Sequence, residues 1–217
     1  MGIYEFAGCV VSYEPLYGLL RRRMETYRSD TEGQPDITLD GTKEDYEKLR
    51  KQYPHLSIEE CEYSCAGAEF YMKLLKHQGF MIHASAVEKE GKAYLFSAPS
   101  GTGKSTHAQL WRQTFKGEPI RIINDDKPAV CLQNGVFYAC GTPFSGKTDK
   151  NENRKAPIQG LCMLHRGKTN KIQKITSGEA LPLILPQTLF YGDEEETNLL
   201  LSFLDRFLQS VPVYKME

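Results

Sequence analysis

A short loop of small residues between a β-like run and a helix-like run constrains this chain more than any other feature. Residues 93–110 have the sequence AYLFSAPSGTGKSTHAQL. Apolar residues with β propensity come first, and helix-forming residues follow Gly103. The pattern predicts a strand, a glycine-containing loop and a helix in immediate succession, which is typical of an α/β fold.

The loop matches the pattern A-x-x-x-x-G-K-S, which is the phosphate-binding P-loop with Ala98 in place of its first glycine. Glycines allow the backbone N–H groups to face phosphate oxygens, and the helix that follows directs its positive end at them. We expect Lys104 to reach the β- and γ-phosphates and Ser105 to bind Mg²⁺ through its hydroxyl. The predicted phosphate-binding residues are Ser100, Gly101, Thr102, Gly103, Lys104, Ser105 and Thr106.

Two residues favour the alternative, a glycine-rich turn before an ordinary helix. Ala98 does not reach positive φ as freely as glycine, and Pro99 has no N–H group to donate.

A pair of aspartates follows the next predicted strand, Ile120–Ile123, in the sequence Asn124-Asp125-Asp126. A carboxylate at a strand end beside a phosphate loop is the arrangement that holds Mg²⁺ in P-loop enzymes. Adjacent side chains diverge there, so one could bind the metal while the other contacts an incoming hydroxyl. The alternative is a simple turn, which the sequence DDKP also favours.

Other patterns predict strands, hairpins and helices along the rest of the chain. We expect a mixed β-sheet core flanked by helices, with residues 1–80 as an N-terminal α+β segment packed on a core of residues 81–217, or else one continuous domain 1–217. Hairpins are predicted at Glu90-Gly91 and Asn134-Gly135. Helices are predicted at 42–53, 63–78 (ended by Gly79), 104–115, from Ser177, and from Asp193 to Gln209. Strands are predicted at 37–39, 80–87, 93–98, 120–123, 129–132, 136–140, 161–164 and 171–175.

Composition excludes several classes of protein. The net charge of −1 argues against a general nucleic-acid or membrane-surface binder. No run of about 18 apolar residues predicts a membrane span, and Met1–Tyr13 lacks the basic start of a signal peptide, so we expect a cytoplasmic protein. The six cysteines are then expected as free thiols, and their spacing does not predict a zinc site.

Residues 81–130 contain four features in order: the His-containing run MIHASAV, a hairpin, the loop SGTGKST, and the strand end INDD. This block resembles the HPr kinase/phosphorylase and phosphoenolpyruvate carboxykinase superfamily, and the resemblance extends through 141–147 and 156–164. The whole chain is similar to small bacterial HPr-kinase-like proteins, some of which sit beside peptide-modification systems. The resemblance implies a P-loop-containing mixed sheet that uses ATP and Mg²⁺.

The resemblance also implies roles for individual residues. Lys104 and Ser105 would hold the phosphates and Mg²⁺, Asp125 would act as base on an acceptor hydroxyl, and Asp126 would bind the metal, with the two aspartate roles open to exchange. His83 would lie against the aspartates and the γ-phosphate. A recognisable counterpart of the kinase/phosphorylase C-terminal signature is missing, so HPr is not expected as the substrate.

The basic stretch Gly141–Lys155 suits either a substrate-gripping loop or a solvated one. In the first case Lys147 or Arg154 would contact substrate phosphates and stabilise transition-state charge. Trp111, on the helix after the loop, is expected to pack in the core rather than stack on adenine.

These expectations give two main hypotheses. The first is an ATP- and Mg²⁺-dependent kinase that transfers the γ-phosphoryl group to a hydroxyl of a protein, peptide or small molecule. The second is a non-catalytic nucleotide-binding sensor or accessory protein of a peptide-modification system. A third hypothesis is a structural remnant that binds nothing, and Ala98 and Pro99 are the residues that favour it. The acceptor, the choice between ATP and GTP, and formation of a homo-oligomer are left open by the sequence.

Overall fold

A computed structural model describes residues 1–115, 117–146, 148–189 and 192–217. The described strands are β1 (Gly2–Phe6), β2 (Cys9–Tyr13), β3 (Ile37–Thr38), β4 (Gly79–Met81), β5 (Ala84–Lys89), β6 (Lys92–Ser97), β7 (Arg121–Asn124), β8 (Ala129–Gln133), β9 (Val136–Cys140), β10 (Lys155–Leu164), β11 (Ile172–Ile175) and β12 (Val213–Met216). The helices are α1 (Gly18–Met24), α2 (Lys43–Gln52), α3 (Ile58–Leu74), α4 (Lys104–Thr114), α5 (Ser177–Ile184) and α6 (Glu194–Ser210).

The large sheet of the described chain is mixed, and β10 is the strand that makes it so. The main strand order is β4-β8-β9-β10-β6-β5-β7, with β12 beside β10 and β11 beside β12. The first residues of β10, Lys155–Pro157, pair antiparallel with β9. Its later residues pair parallel with β6 on one side and with β12 on the other. The sheet therefore curls around β10, and the predicted mixed sheet with flanking helices is confirmed.

Both predicted hairpin turns are confirmed. Glu90 and Gly91 join β5 to β6 with φ of 52° and 71°, and Asn134 and Gly135 join β8 to β9 with φ of 49° and 79°. Two consecutive residues with positive φ match the right-handed twist of antiparallel strands, which explains why these sequences form tight turns.

The predicted start and end of the helix at 63–78 are wrong. Helix α3 begins at Ile58, where Ser57 and Glu60 form a reciprocal capping box, and the helix continues as a 3₁₀ turn to His77. Gln78 takes the left-handed conformation that ends the helix, so Gly79 is already the first residue of β4. The capped start of the helix at Ile58 lies five residues before the apolar pattern becomes evident at residue 63, which displaced the predicted boundary.

Two strand predictions also need correction. The predicted strand at 80–87 is divided, because β4 pairs with β8 whereas β5 pairs with β6 and β7. The predicted strand at 161–164 starts too late, because β10 already begins at Lys155. Strand β12 was not predicted; it lies between β10 and β11 and pairs with both. Strand β12 has only four residues after a long helix, and so short a segment carries little periodic signal.

Three clusters of buried side chains hold the layers together. Apolar residues of α5 and α6, such as Phe203 and Phe207, pack on one face of the large sheet. Helix α4 covers another face, where Trp111 lies against Phe96 with ring centroids 5.3 Å apart, which confirms the expected core packing of Trp111. In the third cluster, Phe70 of α3 stacks on Phe144, so the N-terminal elements contact the segment that follows β9.

The N-terminal residues also form a small sheet of their own, in the order β1-β2-β3. The division into domains at residue 80 stays a prediction. The six cysteines are free thiols, as expected. Over the described residues, we find no helix with the length and apolar character needed to cross a membrane.

Candidate functional site

The loop at 98–103 connects the end of β6 directly to the start of α4. Gly101 and Gly103 have φ of 78° and 118°, in the left-handed region that side-chain-bearing residues rarely adopt. A Cβ atom added at either position would meet no atom within 4 Å, so the backbone conformation and not lack of space requires glycine there. The loop therefore presents an open face at the positive end of α4.

Lys104, the first residue of α4, is folded back onto the loop. Its Nζ donates a 3.0 Å hydrogen bond to the carbonyl oxygen of Ala98, and the side chain is almost fully buried. Burial lowers the pKa of Lys104; the nearby charge of Asp126 opposes this shift, and that of Lys127 adds to it. A bound anion would stabilise the ammonium charge that burial disfavours.

The turn after β7 is shaped by the side chain of Asn124, which is completely buried. Its Oδ1 accepts hydrogen bonds from the backbone N–H groups of Asp126 at 3.0 Å and Lys127 at 2.8 Å. Its Nδ2 donates to the carbonyl and hydroxyl oxygens of Thr142, both at 3.2 Å. Asn124 thus fixes the backbone that carries both aspartates.

Asp125 is buried, and both of its carboxylate oxygens accept hydrogen bonds. Its Oδ1 lies 2.8 Å from the backbone N–H nitrogen of Gly146, and its Oδ2 accepts from the hydroxyl of Thr148. The hydroxyl of Ser85 donates to the backbone oxygen of Asp125 at 2.9 Å. The segment after β9 therefore covers this aspartate.

Asp126 lies between two basic side chains. His83 Nε2 is 3.1 Å from its Oδ1, and Lys127 Nζ is 2.6 Å from its Oδ2. Burial alone would raise the pKa of Asp126, but the hydrogen bond from His83 and the charge of Lys127 outweigh it and hold that pKa well below its usual range. The other ring nitrogen of His83 lies 3.1 Å from Oε1 of Gln187. Asp126 is therefore held as a carboxylate with its position fixed on both sides.

A cavity of about 540 Å³ joins these groups. It brings together five of the twelve predicted site residues: His83 from the β4–β5 connection, Ser100 from the loop, Ser105 from the first turn of α4, and both aspartates. The full lining is Met81, His83, Ser100, Ser105, Asp125, Asp126, Lys127, Gly146, Thr148, Pro186, Gln187 and Thr188. The predicted residues Thr102, Gly103 and Thr106 line a second cavity instead.

Arg154 and Lys147 are the two basic residues predicted to contact substrate phosphates, and the structure describes only Arg154. Arg154 is not brought to the aspartates: its Nε lies 2.6 Å from Oε2 of Glu88, near the far end of β5, and it lines a separate cavity with Arg28. Arg154 immediately precedes β10, and the ion pair with Glu88 satisfies its charge there. Lys147 lies outside the described residues.

Several residues of the site were not predicted from the sequence. Lys127 follows the aspartate pair directly, and Asn124 precedes it, so the same strand-end signal could have included both. Gln187 comes from a 3₁₀ turn after α5 and reaches His83 across 104 positions of the chain. No local pattern marks a contact of that kind.

Comparison with known proteins gives similarity to solved structures, and none to a family model or a curated protein. Among solved structures, the HPr(Ser) kinase/phosphatase from Coxiella burnetii is similar with a TM-score of 0.35 and 10% identity, over 63% of this chain and 83% of that chain. A match at this level concerns the fold alone and identifies neither an activity nor a site residue.

Proposed function

We propose that this protein binds a nucleoside triphosphate with Mg²⁺ and transfers its γ-phosphoryl group to a hydroxyl acceptor. The main support is the cavity of about 540 Å³, which Ser100 of the loop and Ser105 at the start of α4 line together with Asp125, Asp126 and His83. Phosphoryl transfer depends mostly on positioning and charge neutralisation, and these groups supply both.

The phosphate chain binds along the loop. The left-handed glycines orient backbone N–H groups, the start of α4 adds its positive end, and Lys104 adds a full charge close by. Lys104 has to leave the carbonyl of Ala98 to reach a phosphate oxygen. That exchange is favourable because a phosphate is charged and a carbonyl is not.

The residues present suit Mg²⁺. Ser105 and the two aspartates offer oxygen ligands on the same cavity, which is the donor type that Mg²⁺ prefers. No cluster of three or more His, Cys, Asp or Glu side chains that could hold a metal occurs among the described residues. Mg²⁺ in phosphate-transfer sites commonly uses one or two carboxylates together with substrate phosphates, so Ser105 and Asp126 would suffice as protein ligands, and the ion would neutralise phosphate charge there.

The two aspartates then have separate roles. A strongly depressed pKa makes Asp126 a poor proton acceptor, which favours it for the metal. Asp125 orients the acceptor hydroxyl and takes its proton as the new oxygen–phosphorus bond forms. The bond between the γ-phosphorus and the bridging oxygen breaks, and the nucleoside diphosphate leaves. His83 keeps Asp126 in place.

A second candidate function has one specific observation in its favour. Both oxygens of Asp125 are already hydrogen-bonded, by Gly146 and Thr148, so this aspartate is not free for an acceptor in the structure described. A nucleotide-binding sensor would need no free base. In that case nucleotide binding would act on the segment after β9 without chemistry.

Transfer of label from γ-labelled ATP to serine-containing peptides, proteins and small alcohols distinguishes the two. The kinase predicts transfer that Asp125→Asn abolishes and that Asp205→Asn, at an exposed position on α6, retains. ATP binding without transfer to any acceptor favours the sensor. Failure of the wild-type protein to bind ATP contradicts both.

A further inference from the structure

A second cavity, of about 720 Å³, lies along other residues of the phosphate loop. Its walls come from the loop, from helix α4, from the end of β10 and the connection to β11, and from the end of β12. The lining residues are Thr102, Gly103, Thr106, His107, Leu110, Leu164, His165, Asn170, Lys171, Ile172, Met216 and Glu217.

Five of the seven predicted phosphate-binding residues are divided between the two cavities. Ser100 and Ser105 line the cavity with the aspartates, whereas Thr102, Gly103 and Thr106 line the second one. A linear polyphosphate bound along the loop with its terminal phosphate at the aspartates must therefore extend its other end toward the second cavity. In a nucleotide, that other end carries the ribose and the base.

The second cavity has apolar walls. Leu164 is buried, while Leu110 and Ile172 are 49% and 56% exposed, which places two large apolar side chains in contact with water. Pockets that bind small molecules combine apolar walls with a few polar groups, and their volumes are typically about 300–1,000 Å³. A planar aromatic base would cover these side chains and gain the free energy of removing them from water.

Two histidines are among the polar residues that line this cavity. The Nε2 atom of His165 is buried and has no hydrogen-bond partner among the residues that the structure describes. A buried polar atom of this kind is costly while it has no partner, so a ligand that lets the ring of His165 turn this nitrogen toward the cavity would relieve that cost. His107 accepts a hydrogen bond at Nε2 from the indole N–H of Trp111 at 3.2 Å, which leaves its Nδ1 as an N–H donor.

One wall of this cavity, the connection after β10, is attached to the phosphate loop by a hydrogen bond. Arg166 donates from Nη2 to the carbonyl oxygen of Gly101 at 3.0 Å, so the connection after β10 is attached to the phosphate loop itself. The cavity wall and the loop are thereby held at a fixed separation, as a ligand that spans both requires.

We infer that this second cavity binds the base and ribose of the nucleotide whose phosphates lie on the loop, with Leu110, Ile172 and His165 as contacts to the base. The inference rests on the proposed function, because it needs a nucleotide on the loop. It adds a location for the nucleoside that the phosphate motif alone does not provide.

The test compares ATP with inorganic tripolyphosphate, each with Mg²⁺, by isothermal titration calorimetry on the full chain. Tripolyphosphate contacts the loop but has no base. Wild-type protein is expected to bind ATP at least about tenfold more tightly than tripolyphosphate, and Leu110→Gln to weaken ATP binding about fivefold while tripolyphosphate binding stays unchanged. Leu201→Gln, at a 39% exposed position on α6, is the matched control and is expected to leave both affinities unchanged. Equal melting temperatures establish that the variants are folded.

The possible outcomes separate the inference from the proposed function. Equal affinity for ATP and tripolyphosphate overturns the nucleoside site and leaves the phosphate site standing. A preference for ATP that survives Leu110→Gln also overturns it. If neither compound binds, the proposed function fails and the inference fails with it.

Discussion

The backbone N–H of Gly146 donates a 2.8 Å hydrogen bond to Oδ1 of Asp125, so the segment after β9 directly contacts one of the two central carboxylates. That segment is itself held by the N-terminal part of the chain. Arg23 of α1 donates from Nη1 and Nη2 to the carbonyl oxygens of Ser145 and Gly146, each at 3.1 Å, and its Nε lies 3.0 Å from Oδ1 of Asp149. Helix α1 therefore supports the site without lining its cavity.

Replacing Arg23 should loosen the segment that contacts Asp125. We expect Arg23→Ala to lower the free energy of unfolding by about 1–3 kcal/mol, because the carbonyl oxygens of Ser145 and Gly146 lose a charged donor. Arg23→Lys should be nearly as destabilising as Arg23→Ala, since an ammonium group cannot reproduce the forked geometry of the guanidinium group. Urea unfolding measures both variants, with Arg22→Ala, at an exposed position of the same helix, as the control. Equal stability of Arg23→Ala and Arg22→Ala would show that the contacts contribute little.

The hydroxyl of Thr148 should matter more than its methyl group. Thr148→Val removes the donor to Oδ2 of the buried Asp125, and we expect a loss of about 1–3 kcal/mol in the free energy of unfolding because a carboxylate oxygen is left unpaired. Thr148→Ser keeps the hydroxyl and should retain most of the stability. If serine and valine prove equally destabilising in urea unfolding, the hydrogen bond is not the cause.

Acid should weaken the fold partly through Asp126. Because His83 and Lys127 hold its pKa below the value of about 4 that an unfolded carboxyl has, its ionised form stabilises the protein above that pH. The contribution is lost as the pH falls from about 4 toward the folded-state pKa. Asp126→Asn should therefore be less stable than wild type at pH 7 and show a shallower decline below pH 4.

Urea unfolding at a series of pH values tests this expectation. Asp205→Asn, at an exposed position of α6, is the control and should decline as steeply as the wild type. If Asp126→Asn has the same acid dependence as wild type, the surroundings of Asp126 do not depress its pKa as described.

The local features of the fold could be predicted from sequence, and the reasons are specific. Asn134-Gly135 predicts a tight hairpin because both residues accept positive φ, and the structure has that turn. Thr42 predicts a helix start because its side chain can cap the first N–H groups, and α2 begins there, with Thr42 and Asp45 in a reciprocal capping box. In both cases the determining contacts lie within four residues.

Non-local pairing explains what was missed. Strand β12 inserts beside β10 after α6, and its pairing partners are distant in sequence. Gln187 reaches His83 only because the 3₁₀ turn after α5 lies against the β4–β5 connection, where the backbone N–H of His83 also donates to the carbonyl of Gln187. Arg154 has a motif-like position in the sequence, but its ion pair with Glu88 directs it elsewhere.

Binding of a polyphosphate at the loop is the central proposal for this protein, and Lys104 is the residue that tests it. Burial lowers the pKa of Lys104 and so disfavours its charge in the free protein, where that charge is not a source of stability. A melting temperature for Lys104→Ala close to that of wild type shows that loss of binding does not reflect unfolding. Lys92→Ala, at an exposed position of β6, is the matched control.

Isothermal titration calorimetry with ATP and Mg²⁺ is the most direct measurement. We predict saturable binding to the wild type and to Lys92→Ala, and an affinity lower by about 100-fold in Lys104→Ala, since the charged contact to phosphate is lost. No heat of binding in the wild type, or equal affinity in Lys104→Ala, would contradict the account.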